Sequence, residues 1–258
     1  MKNKQKAPDK YWKMQMSSDS SETGEASIYI YGDIVRWVWE DWFPEDVSSN
    51  SFKEDLDELG DVDIINLYIN SPGGSVFEGI AIYNMLKRHK AKINVYVDAL
   101  AASIASVIAM AGDTIFMPKN SMLMIHNPWT SAVGNAKEFR KVADDLDRIG
   151  HSSKQSYLQK AGEKITDEKL QELLDAETWL SADEAYEYGL CDVVEEANQM
   201  AASISDEFMN RYKNVPKQLT KQPKNTISAE EIVKRQRIAD EAKANSAYIN
   251  TILGGMFK

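Results

Sequence analysis

The chain has 258 residues, 43% of them hydrophobic, enough for one substantial core with appendages, and no apolar run is long enough to span a bilayer. Its single cysteine, Cys191, excludes intrachain disulfides and a cysteine-based metal site and points to a reducing cytosol. Of the net charge of −10, residues 1–10 contribute +3 and residues 211–258 contribute +6, which leaves −19 on residues 11–210 and argues against nucleic-acid binding by the body.

Residues 1–25 are polar and read as a disordered tail, and no apolar stretch of the secretory type follows Lys2, Lys4 and Lys6. Residues 27–31 read as a strand stopped by Gly32-Asp33, and the crowded Trp37, Trp39 and Trp42 suit a core or a subunit interface. Ser51 with Glu54 has the form of a capping box, which predicts a helix running to about Leu59. Residues 63–70 are the clearest strand, broken by Ser71-Pro72-Gly73-Gly74-Ser75. A helix follows, with Val76, Ile80, Tyr83 and Leu86 on roughly one face.

Further strands are predicted at residues 93–97, 114–117 and 122–126, and the small apolar run from Leu100 to Gly112 contains a helix. Strands alternating with helices imply a mostly parallel sheet. A long helix is predicted over 137–160, from Phe139, Val142, Ala143, Leu146 and Ile149 at helical spacing. Thr166 caps another helix, and Ser181 with Glu184 caps a third, which Gly189 ends ahead of a strand at 191–194. Beyond the folded domain, 26–200, residues 201–227 read as a linker. Residues 228–258 read as a terminal helix whose stripe of Ile238, Ala242, Ile249 and Leu253 suits docking or assembly.

Ser103 stands where a strand gives way to a helix in apolar surroundings, a placement that favours a serine nucleophile, although the same letters also write a packed core helix. Three histidines are available as its base. His89 sits in a basic helix end and His151 on a polar helix, whereas His126 ends the apolar strand and projects where Ser103 can be reached. Gly73 and Gly74 follow a strand and let backbone N–H groups approach a substrate, without matching a P-loop or a dinucleotide fingerprint. The N–H after a nucleophile commonly supplies a second donor, here Ile104.

Four segments, residues 67–74, 101–106, 120–128 and 179–192, together resemble the Clp protease proteolytic subunit family, a likeness covering about residues 26–196. The resemblance implies an α/β, crotonase-like spiral of ββα units and a self-compartmentalising serine endopeptidase. It matches Ser103 to the nucleophile, His126 to the base, and Gly74 and Ile104 to the oxyanion donors. The long helix becomes a handle through which two rings meet. Two positions depart from the family pattern: Glu177 stands where the family has Asp, with Asp175 as the alternative acid, and Ala105 stands where it often has Gly. Residues 10–13, 28–33 and 176–179 look like the phage-encoded head-maturation (prohead) proteases.

The expectation is therefore a serine endopeptidase acting on capsid or scaffold proteins, forming a ring-like homo-oligomer in the host cytoplasm or prohead, and needing no cofactor or metal. Substrate is expected as an extended strand beside Gly73, Gly74, Ser75, Val76 and Phe77, with Asn127 and Pro128 on the other side. The alternatives are a degradative subunit working with an ATP-driven unfoldase, an acyl-coenzyme A enzyme on the same kind of fold, a silent ring component, and a serine–lysine dyad using Lys119 or Lys92.

Overall fold

The computed structural model describes residues 10–16, 24–36, 48–197 and 212–216, all within one compact unit, Met1–Pro216. Trp37, Trp39 and Trp42, and the second unit Lys217–Lys258 with its predicted terminal helix, lie outside the described residues. In chain order the elements are β1 (Trp12–Met16), β2 (Glu25–Tyr31), α1 (Ser49–Glu58), β3 (Ile64–Ser71), α2 (Val76–Arg88), β4 (Lys92–Ala102) and α3 (Ile104–Ala109). They continue as β5 (Thr114–Pro118), β6 (Met122–Ile125), α4 (Ala136–Ala161), α5 (Asp167–Asp175), β7 (Thr178–Ser181), α6 (Ala182–Glu187) and β8 (Val193–Glu195). This is the mixed α/β architecture of ββα units with one long helix that the sequence implied.

The spine of the sheet runs β1-β2-β3-β4-β5-β8, parallel throughout except for the antiparallel β1–β2 pair. Strict alternation in β3 sends Ile65, Leu67, Ile69 and Ser71 inward, and β4 does the same with Ile93, Val95 and Val97. The opposite face carries Tyr29, Tyr68, Tyr96 and Phe116 in register, each ring stacked on the next at 4.8, 5.0 and 4.7 Å.

β4 is the element that makes the site. It extends five residues beyond the predicted end at Val97, so Leu100, Ala101 and Ala102 are strand, and the small-residue helix begins only at Ile104. Opposite the step from Ile69 to Ser71 in β3, β4 advances from Val97 to Ala101, and this bulge lets it change partners. Its first half pairs with β5 through Asn94–Tyr96, and its second half pairs with β6 through Leu100–Ala102. β6 then carries β7 antiparallel on its other edge.

Two expectations about the chain ends are corrected. Residues 1–25 are not a disordered tail throughout, because Trp12–Met16 pairs with Ala26–Ile30. The polar average of the segment hides Tyr11 and Trp12, both buried, with the Trp12 ring edge-on to Phe52 and its indole N–H donating to Asp55 at 2.6 Å. Nor is 201–227 a free linker throughout, since residues 212–214 are hydrogen-bonded onto the domain. Helix α1 also starts earlier than predicted, because Ser48 rather than Ser51 is its N-cap and Ser51 closes the capping box. The caps predicted at Thr166 and at Ser181 with Glu184 are present as read.

Candidate active site

Ser103 follows the last residue of β4 and is the N-cap of α3, with φ 53° and ψ −127°, a backbone conformation that costs a non-glycine residue about 1–3 kcal/mol. The parallel register that sets Ala102 against Met124 places Ser103 alongside the end of β6, and the Ser103 N–H donates to the Met124 carbonyl at 2.8 Å. His126 is the next residue after β6. Its Nε2 lies 2.7 Å from Ser103 Oγ. The nucleophile-like serine and the strand-end histidine are thus brought together by β4 having chosen β6 as its partner.

Behind Ser103, α3 is wholly buried, and its Ser106 hydroxyl lies 2.6 Å from the buried Tyr157 hydroxyl of α4 while bonding the Ser103 carbonyl at 2.5 Å. Helix α2 presses close because Gly79 has no side chain; a Cβ there would stand 2.2 Å from Ile104 Cγ1. Ile104, the first residue of α3, has no intrahelical acceptor for its N–H.

The glycine turn closes the other side. Gly73 has φ 92°, and a Cβ on it would lie 2.7 Å from both the Ala102 carbonyl and Ser103 Cβ. Gly74 has φ 149°, and a Cβ there would lie 2.0 Å from the Ile34 carbonyl oxygen. The turn is tied to Ile34 by Ile34 N–H donating to the Gly73 carbonyl at 2.8 Å and by Ser75 N–H donating to the Ile34 carbonyl at 2.7 Å. Ser71, buried at the end of β3, braces it further by accepting from Gly73 N–H at 3.1 Å. Neither the Gly74 nor the Ile104 N–H makes a hydrogen bond to a described residue. Two unspent donors therefore flank Ser103, the arrangement that binds an oxyanion.

Beside the turn, Ser75 N–H is already engaged, and Val76 and Phe77 form the first turn of α2, the helix expected from Val76 onward. Val76 lines a cavity at Ser103 together with Ile104, Val107, His126, Asn127 and Pro128. Phe77 is largely exposed. Lys154, unnoticed in the sequence, also lines this cavity and is held by Asp167 at 2.8 Å and Gln171 at 3.1 Å.

Neither acid candidate is hydrogen-bonded to His126. Asp175 accepts from Asn127 Nδ2 at 2.7 Å and from Gln171 at 2.8 Å. Glu177, at φ 50°, accepts through Oε1 from the N–H groups of Lys213 at 2.6 Å and Asn214 at 2.8 Å. Burial lowers the His126 pKa from its ordinary value, and the Glu177 charge acts in the opposite direction. His89 caps α2 and accepts from Ala91 N–H, and His151 is exposed on α4, so neither competes with His126. Neither Lys119, which pairs with Glu196, nor the exposed Lys92 lines the cavity.

Tyr212, which nothing in the sequence singled out, also reaches the site. Its ring meets His126 edge-on with centroids 5.4 Å apart, and its hydroxyl donates to the Pro72 carbonyl at 2.7 Å. A lone tyrosine in a polar, lysine-rich stretch carried no periodic signal that could have pointed to it.

Residues 54–198 match the family model described as Clp protease, over more than half of the chain. The chain belongs to the Clp protease family. Membership implies a serine peptidase that acts on polypeptides and assembles as an oligomer. The match ends ahead of Tyr212, so the segment that touches His126 and Glu177 lies outside the Clp protease region. No described helix of this Clp protease is long and apolar enough to cross a membrane.

Proposed function

We propose that the chain is a serine endopeptidase in which Ser103 is the nucleophile, His126 the base and Glu177 the acid. The observation that carries this reading is the 2.7 Å contact between Ser103 Oγ and His126 Nε2 at a serine held in a left-handed backbone conformation. Ser103 Oγ attacks the peptide carbonyl carbon as His126 Nε2 takes the hydroxyl proton. The tetrahedral oxyanion is met by the Gly74 and Ile104 N–H groups, each such donor worth roughly 3–4 kcal/mol in the transition state. The imidazolium returns the proton to the leaving amine, and water repeats the sequence on the acyl-serine. The side chain preceding the cut bond enters the cavity lined by Val76, Val107, Asn127 and Pro128. The close Ser–His contact weighs against an acyl-coenzyme A enzyme, which needs no such pair.

Within the family, the likeness of residues 10–13, 28–33 and 176–179 to phage head-maturation proteases favours capsid or scaffold proteins as substrates. The residues past the domain, with the terminal stripe from Ile238 to Leu253, would then dock the enzyme during assembly. Labelling with a serine-directed fluorophosphonate tests the catalytic reading: the native chain labels, while Ser103→Ala and His126→Ala do not. Labelling that persists in Ser103→Ala overturns it. Deleting residues 217–258 tests the assembly role, with loss of incorporation into proheads expected. Unchanged incorporation, or degradation of folded proteins only beside an ATP-driven unfoldase, would favour the degradative reading.

A further inference from the structure

Tyr212, Lys213 and Asn214 lie beyond the residues that match the family model, yet they touch His126, Glu177 and the glycine turn. The Tyr212 ring fits edge-on between His126 and Trp179, at 5.4 and 6.0 Å, over a small cluster of Leu100, Ala102 and Met124. Its hydroxyl is tied to the glycine turn through the Pro72 carbonyl. The next two N–H groups converge on a single oxygen of Glu177, and the Asn214 side chain donates to the Ala176 carbonyl at 2.8 Å. Glu177 Oε2 and His126 Nδ1 make no hydrogen bond to a described residue.

We propose that residues 212–214 are positioning residues of the catalytic centre, the Lys213 and Asn214 N–H groups clamping Glu177 Oε1 and the Tyr212 ring fixing the imidazole, so that Oε2 is presented to Nδ1. The inference rests on the Ser103–His126–Glu177 reading above. The physical need comes from the extra methylene of Glu relative to Asp, which adds a torsion that must be frozen for the carboxylate to orient an imidazole. Two converging backbone donors freeze it. Ser103 and His126 remain in contact beside the segment, and none of residues 212–216 lines the cavity at Ser103.

Other charges near His126 are already committed. Lys154 is held by Asp167 and Gln171, and Asp175 by Asn127 and Gln171, so Glu177 is the charge whose position residues 212–214 control.

The test uses the full chain and a fluorogenic peptide, with kcat and KM measured across pH. Asn214→Pro removes one clamping N–H, Tyr212→Ala removes the ring, and Tyr212→Phe keeps the ring while losing the bond to Pro72. Asn214→Pro and Tyr212→Ala should each lower kcat by about 10- to 100-fold with KM within about twofold, the scale of misplacing a catalytic group by about an ångström. Both should also move the acid limb of the pH profile downward, and Tyr212→Phe should restore most of the rate. Wild-type kcat and pH profile in both variants would overturn the proposal, as would a rise in kcat, which would mark the segment as inhibitory. Glu177→Ala separates the two layers. If it is inactive while the 212–214 variants match wild type, only the positioning role fails; if it is itself fully active, the assignment of the acid fails with it.

Discussion

Ser103 and the two glycines facing it hold backbone conformations that ordinary side chains avoid, and all three converge on one point in space. Such strain persists only where the surroundings over-determine it. At Gly74 the constraint is twofold, since φ 149° disfavours an L side chain and a Cβ would meet the Ile34 carbonyl, which is backbone and cannot step aside. Gly74→Ala should therefore displace the turn and its N–H, lowering kcat by about 10²- to 10³-fold, as for loss of an oxyanion donor, with labelling of Ser103 slowed in parallel. A wild-type rate in that variant would exclude Gly74 as a donor.

With His126 as the proposed base, its titration sets the expected pH response. Burial disfavours the imidazolium more than the Glu177 charge favours it, so the folded pKa lies below the ordinary value of 6.5. A base must be neutral to accept a proton, so activity should persist below pH 6.5 and fall only as pH drops through the depressed pKa. Removing the negative charge with Glu177→Gln takes away the one opposing influence, and the acid limb of kcat/KM should move lower still. A limb that stays in place or rises would show that Glu177 is not felt at the imidazole.

Among the elements, β4 and α3 carry the decisive geometry. β4 delivers Ser103 because it leaves β5 and continues along β6, and α3 holds Ile104 because Gly79 lets α2 approach. Gly79→Ala puts a methyl group into the Ile104 side chain, an overpacking expected to cost about 1–3 kcal/mol and to be read as a lowered thermal midpoint. Because the Ile104 N–H is the proposed second oxyanion donor, its displacement should lower kcat as well. Strand β1 depends on a different contact. Trp12 is buried on Phe52 and bonded to Asp55, so Trp12→Ala should cost about 3–5 kcal/mol and free the segment for proteolysis without altering the Ser103–His126 pair.

At the scale of the whole molecule, a group of exposed apolar side chains among the described residues lies where the long helix begins. Trp129, Val133 and Phe139 are all exposed, and the first turns of α4 carry few buried residues. A helix of 26 residues is about 39 Å long, and in a single subunit only its second half reaches the core through Lys154, Ser156, Tyr157 and Ala161. Oligomeric assembly, which the family implies, gives the first half something to cover it. Phe139→Glu should weaken contacts made through this helix and reduce the native mass, read by native mass spectrometry. An unchanged mass would place the assembly contacts elsewhere.

The sequence by itself determined what is local or strictly periodic: the alternation of β3, the length of α4, the caps at Thr166 and Ser181, and the place of His126 at a strand end within reach of Ser103. Short-range hydrogen bonds and repeating burial leave their period in the chain, so such features can be read without a structure. Only the tertiary structure decided the change of partner in β4, the pairing of Trp12–Met16, the tie of Ser75 N–H to Ile34, and the reach of Tyr212 back to Pro72 across 140 residues. Each depends on what a segment meets after the sheet has formed, and a strand's partner is not encoded in its own alternation. The proposed acid shows the division most clearly. Glu177 was legible as a departure from the family's Asp, but its two partners, Lys213 and Asn214, lie in a stretch whose composition is that of a linker. Backbone N–H groups look alike in every sequence, so which pair of them closes on a carboxylate is settled only by the fold.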